Sequence, residues 1–203
     1  MEQLRRLAQD EGLHFAHTGV PEPQAPAITR LGRPRVEGIA RGLLPDETAA
    51  AMTVLAYPGV GADGTLRRIT MLAFLHEIPE SVDRLPWLVW HNRETEADGL
   101  LSAELRRGSP PVRPIATESE FFAQRFTLEA GAGTDENMVR RLLAPAFLHW
   151  FAYETPYGFF CEVASGTLCA YVFDDPHRPG RLKSVWDAGS RVAMQVRHEA
   201  RGG

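Results

Sequence analysis

Seven residues near the C-terminus, Leu182, Val185, Trp186, Gly189, Val192, Ala193 and Val196, follow one another at helical steps. That spacing winds an apolar stripe along one side of a helix over residues 181–198, and such a stripe has to be buried against something. The chain upstream is strand-like. Residues 36–43 and 50–57 are apolar-rich runs separated by Pro45-Asp46-Glu47-Thr48, where proline fixes φ and aspartate bonds back to the chain, so the two form a hairpin. Residues 68–75 extend it to a meander of three beyond the loop 58–64, and 86–91 add a fourth strand with Trp87 and Trp90 on opposite faces. Residues 158–164 and 167–173 flank Ser165-Gly166 as a second hairpin. Hairpins plus an amphipathic helix specify an α+β fold: an antiparallel sheet covered by helices over 135–153 and 181–198.

The remaining chain is punctuated by Pro and Gly. Leu4, Leu7 and Ala8 give a short opening helix that Gly12 stops, and residues 21–34 are too rich in Pro and Gly for regular structure. Residues 94–107 carry acids first and Arg106-Arg107 last, the order a helix dipole favours. Residues 108–114 hold Pro110, Pro111 and Pro114 and mark a possible boundary between two strand-rich lobes. Thr134 or Asp135 caps a helix that Pro145 bends. A chain of 203 residues buries about 70% of its unfolded surface as one domain, 1–203, and needs no disulfide or metal to be stable.

Charge and cysteine content narrow the function classes. No apolar stretch reaches the ~20 residues that cross a bilayer, and Cys161 and Cys169 are too few for a secreted disulfide framework, so the expected compartment is the cytoplasm. The net charge of −4 conceals an asymmetry: residues 44–175 balance at −9 and residues 176–203 at +4, so a basic closing helix is attracted to an acidic body, within the chain or across a dimer. Arg30, Arg33, Arg35 and Arg41 raise nucleic-acid binding. The acidic balance and the absence of interleaved aromatics weigh against it.

No nucleophile elbow, P-loop or zinc-protease helix is present, and Gly59, Gly61 and Gly64 precede a strand where a dinucleotide fingerprint needs a helix. Cys161, Cys169 and His177 lie eight residues apart and form a conceivable metal set. A two-residue turn at Ser165-Gly166, however, puts Cys169 opposite Glu162 and Cys161 opposite Ala170, on different faces, so buried thiols are expected. His14 and His17 read as exposed loop histidines. The groups from which an acid–base set could be drawn are His76, Glu118, Glu120 and His149.

The segment Glu118-Ser119-Glu120-Phe121-Phe122-Ala123-Gln124-Arg125-Phe126, followed by Leu142-Leu143-Ala144-Pro145, resembles an uncharacterised actinobacterial family with a Glu-Ser-x-x-Phe-x-x-x-Phe pattern. Gly12-Leu13-His14-Phe15, residues 36–42 and Leu85-Pro86-Trp87-Leu88-Val89 extend the likeness over most of the chain, with Leu13 where the family usually has Trp. Members often carry this domain behind membrane helices, and the family implies a single domain and no known activity. In the residues themselves the segment is a packing motif. Phe122 and Phe126 lead into a strand, Glu118 or Ser119 caps the turn, and an ion pair among Glu118, Glu120 and Arg125 is expected.

With no nucleophile, base and orienting group in one pattern, the leading expectation is a non-catalytic binding or adaptor module with no cofactor, serving a protein partner or a homodimer formed through the helices. The alternative is a hydrolase-like enzyme built from the scattered carboxylates and histidines.

Overall fold

The computed structural model describes residues 1–60, 65–93 and 110–202. Their centre is one antiparallel sheet of nine strands in the order β1-β2-β3-β4-β9-β8-β5-β7-β6. The strands are β1 (His14–Ala16), β2 (Arg35–Leu43), β3 (Ala49–Val60), β4 (Leu66–Glu77), β5 (Trp87–Asn92), β6 (Val112–Pro114), β7 (Phe126–Gly131), β8 (Phe160–Ala164) and β9 (Thr167–Phe173). After β4 the chain crosses two places to lay down β5. The later hairpin β8–β9 fills the gap, with β9 against β4 and β8 against β5. The two strand-rich halves therefore share one sheet.

The turns follow from their residues. In the β2–β3 turn Glu47 takes φ 63, and the Asp46 carboxylate accepts bonds from the Thr48 backbone N–H and hydroxyl. In the β8–β9 turn Ser165 and Gly166 both have positive φ, the geometry that matches strand twist in a two-residue hairpin. Ala164 thus faces Thr167, Glu162 faces Cys169 and Cys161 faces Ala170.

Both faces of the sheet are buried, which is why its central strands read as continuous apolar runs. On one face Met52, Val54, Leu72, Phe74, Leu168, Ala170, Val163 and Trp90 pack under five helices: α1 (Glu2–Asp10), α3 (Glu120–Arg125), α4 (Glu136–Leu142), α5 (Pro145–Glu154) and α6 (Arg181–Ala200). All seven stripe residues of α6 are buried. On the other face Ile39, Leu55, Tyr57, Met71, Leu75, Cys169 and Tyr171 pack with Ala27 and Ile28 of α2 (Pro26–Arg30). The Tyr57 hydroxyl donates to the Ile28 carbonyl at 2.7 Å, tying that segment to the sheet.

Three expectations need correction. Residues 21–34 are not wholly irregular, because Pro26 sits at the start of α2, where its missing N–H costs nothing. Residues 112–114 of the proline-rich linker form edge strand β6, the place in a sheet that tolerates proline. The helix over 135–153 is two helices, since Pro145 forces Ala144 to extended backbone (ψ 145) and restarts the helix at its own position. The helix expected over 94–107, the Gly61 and Gly64 positions and residues 108–109 lie outside the described residues.

Among the described residues no helix is long and apolar enough to cross a membrane.

Candidate functional site

The sequence candidates fall in three places. His76 ends the buried run of β4 and is 0% exposed. Its Nδ1 lies 2.7 Å from the Ala49 carbonyl, and its Nε2 has no hydrogen-bond partner among the described residues. Burial pushes its pKa down and the Arg197 charge adds to this, against the pull of the Ala49 carbonyl, Asp46 and Glu80. Arg197 itself bonds to Asp46 at 2.7 Å and Glu80 at 3.5 Å, and Arg201 to Glu80 at 2.8 Å. Burial opposes ionisation of both acids, but the bonds from Thr48 to Asp46 and from the Glu80 backbone N–H and Arg201 to the Glu80 carboxylate, with the Arg197 charge, outweigh it and hold both pKa values down. This network fastens the end of α6 to the β2–β3 turn. His76 is buried close enough to feel these charges but bonds to none of them.

Glu118, Glu120 and His149 belong elsewhere. β7, into which α3 feeds, is four sheet positions from β4, roughly 19 Å at the usual strand spacing. His76 therefore shares no cleft with them. Ser119 caps α3, its hydroxyl accepting from the Phe122 N–H at 3.2 Å, which leaves Glu118 and Glu120 exposed on either side. Phe122 is buried against Phe126 and Phe151, while Phe121 turns outward. Phe121 lies over Tyr153 of α5 with ring centroids 4.1 Å apart and planes 7° apart, and His149, one helical turn before Tyr153, stacks on it at 4.5 Å. Two rings this close cannot share one side of Tyr153. They take opposite sides, and Phe121, Tyr153 and His149 form a three-ring stack at the surface. Phe121 is 37% and Tyr153 56% exposed.

The expected ion pair among Glu118, Glu120 and Arg125 does not form. Arg125 donates to the Ala152 carbonyl near the end of α5 and lies over the Phe126 ring. Glu118, Glu120 and the exposed Glu154 next to Tyr153 have no ion-pair partner among the described residues.

Cys161 and Cys169 are buried on opposite faces of the sheet, with burial the first cause of thiol pKa values well above normal, and His177 lies in the exposed turn before α6. No cluster of three metal-ligating side chains occurs among the described residues. His14 and His17 are exposed, but His14 opens strand β1, opposite Arg41, and is not in a loop; His17 lies 3.2 Å from Arg5.

One polar site was missed by sequence reasoning. Glu162 and Arg30 pair at 2.6 Å with 1% and 6% of their side chains exposed, on the α2 face of the sheet. Arg30 also lies over the Trp87 ring at 4.6 Å, and His91 Nε2 is 3.1 Å from Glu129. Burial raises the Glu162 pKa despite the Arg30 charge and the Ala27 N–H that oppose it. A cleft of about 160 Å³ opens beside these groups, bounded by Trp87, His91, Glu129, Pro110 and Val112. Its described lining has no hydroxyl, thiol or amine nucleophile. The signal available in the sequence was a lone acid in the otherwise apolar strand Phe160–Ala164.

No protein-family model and no curated protein matches the chain. Its fold is similar to that in the crystal structure of the mycobacterial trehalose monomycolate transport factor A, TtfA, with a TM-score of 0.59 over 98% of this chain and 93% of that one, at 11% sequence identity.

Proposed function

We propose that this chain is a non-catalytic binding module, an adaptor that holds a partner at the surface formed by α3 and α5. The observation that carries the reading is the exposed stack of Phe121, Tyr153 and His149. Contiguous apolar surface left in water is a mark of contact with another molecule, and this stack groups Phe121, Tyr153 and His149 at the surface. The groups from which an acid and a base would be drawn serve other ends. His76 is sealed beneath α6, His149 rests against Tyr153, and Glu118 and Glu120 flank a helix cap. The similarity of fold to a protein named as a transport factor supports an accessory role in a transport process, and residence in the cytoplasm and membership of the actinobacterial family belong to the same proposal.

Affinity capture from the source organism, read by mass spectrometry, tests it. A partner should be retained by the wild type and lost from a Phe121→Ala/Tyr153→Ala variant. Turnover of an ester, amide or phosphate ester that disappears in His149→Ala would overturn the reading.

A further inference from the structure

We infer that the α3–α5 surface is a receptor for a basic segment of another protein, one that brings an arginine or lysine onto the ring stack. The inference rests on the binding reading above and names the chemistry of the partner. Its grounds are the rings, their rim and the fate of the chain's own cations.

Phe121, Tyr153 and His149 are held face to face before any partner arrives, because Ser119 caps the helix that carries Phe121 and Arg125 fastens that helix to the Ala152 carbonyl of α5. With both sides of Tyr153 covered, the stack offers water the outer side of Phe121 and the rim and hydroxyl of Tyr153. An aromatic face carries negative quadrupole density and attracts a cation set over it. Glu120 directly precedes Phe121, Glu154 directly follows Tyr153, and Glu118 lies across the cap. All three are exposed carboxylates without an ion-pair partner among the described residues. Some exposed acids elsewhere in the described structure are paired, as Glu2 is with Arg6 and Glu136 with Arg113, and others such as Asp10, Glu77 and Asp83 are not. What counts here is that three unpaired acids sit on the two segments that carry the rings. Preformed rings on segments that also carry three exposed acids, unpaired among the described residues, complement a cation with an apolar stem. The same acids repel an anionic lipid surface.

A second copy of the chain is the obvious other source of cations, since residues 176–203 are basic. Those charges are already committed. Arg197 is bound by Asp46 and Glu80, Arg201 by Glu80, Lys183 by Glu11 and Asp187, and Arg178 and Arg181 by Asp174, while Arg191 lies over Trp150 at 4.3 Å. The closing segment's cations are engaged within its own chain and do not supply the complement. Arg33 and Arg35, exposed and without an ion-pair partner among the described residues, are the cations a second copy could bring, and light scattering tests that source.

Fluorescence anisotropy with the full chain at low ionic strength tests this, using fluorescein-labelled peptides that alternate Gly with Arg, with Lys or with Glu. The Arg and Lys peptides should bind and the Glu peptide should not. Phe121→Ala/Tyr153→Ala should weaken the Arg peptide at least about fivefold, as should Glu118→Gln/Glu120→Gln/Glu154→Gln, the loss expected when exposed cation–π and ion-pair contacts are removed. Asp10→Asn/Glu77→Gln/Asp83→Asn, which changes net charge equally at other exposed acids, should bind like the wild type. Circular dichroism confirms that each variant is folded, and the glutamine variant leaves every ring in place should the alanine variant unfold. No binding by the wild type, equal weakening by the control variant, binding to phosphatidylglycerol vesicles in place of peptide, or a dimer by light scattering that Phe121→Ala/Tyr153→Ala dissociates would each overturn the inference. Should affinity capture retain a partner that the ring variant still holds, this surface fails and the binding reading survives; catalytic turnover removes both.

Discussion

A buried charge is tolerated only with its partner, and Arg30–Glu162 shows the consequence at the scale of single residues. Glu162 sits among Phe160, Tyr171 and Cys169, and the Arg30 guanidinium answers its carboxylate at 2.6 Å. Arg30→Met should cost about 3–5 kcal/mol by stranding the acid, whereas Arg30→Met/Glu162→Leu should recover most of the loss. Urea unfolding of the two variants measures this, and a double variant no more stable than the single one would contradict it. His76 contributes in the pH domain. Its folded pKa lies below the ordinary 6.5, so the unfolded chain binds the proton more readily and stability is lost as pH falls from that value. Glu162 has the opposite sign. Its folded pKa is raised, so its contribution is present below the ordinary carboxylate value of 4.5 and is lost as pH rises through the folded one. Denaturation midpoints taken between about pH 7 and pH 5 should fall less steeply in His76→Gln than in the wild type, and parallel slopes would refute this assignment.

Helices in this fold are placed by close approach as much as by apolar area. At Gly189 a Cβ would lie 2.5 Å from the Phe74 ring, so α6 rests on β4 at a distance only glycine permits, with Trp186 edge-on to the same ring at 5.3 Å. Gly189→Ala therefore sets two effects against each other. Helix propensity gains up to about 1 kcal/mol. Overpacking against a ring in a filled core costs about 1–3 kcal/mol. The second should win, lowering the thermal midpoint, and a rise would show that Phe74 can shift. Arg84 joins two other elements: it pairs with Asp135, the N-cap of α4, at 2.9 Å and donates to the Glu199 and Ala200 carbonyls at the end of α6. Bonds from the Met138 and Asn137 N–H groups and from Arg84 hold the Asp135 pKa below normal, so one carboxylate serves both the cap and the tie.

Across the whole molecule, the basic closing segment meets the acidic body within the chain through the pairs of Arg181 with Asp174, Arg197 with Asp46 and Arg201 with Glu80. The α+β class, the meander, both hairpin turns, the Asp135 cap and the stripe of α6 were legible in the amino-acid sequence because each rests on periodicity or turn chemistry within about twenty residues. The opposite faces of Cys161 and Cys169 followed from the two-residue turn alone. Strand order was not legible, since placing β9 beside β4 and β5 between β8 and β7 depends on which edges meet across the chain. The same reason hid the ring stack and the buried ion pair. Phe121 and Tyr153 are 32 positions apart and Arg30 and Glu162 are 132 apart, and nothing local marks either pair. Local sequence decided which segments became strands and helices, because those preferences act between neighbours. Tertiary structure alone decided which ring would stack on which and which acids have no cation among the described residues, because those contacts form only once distant elements pack.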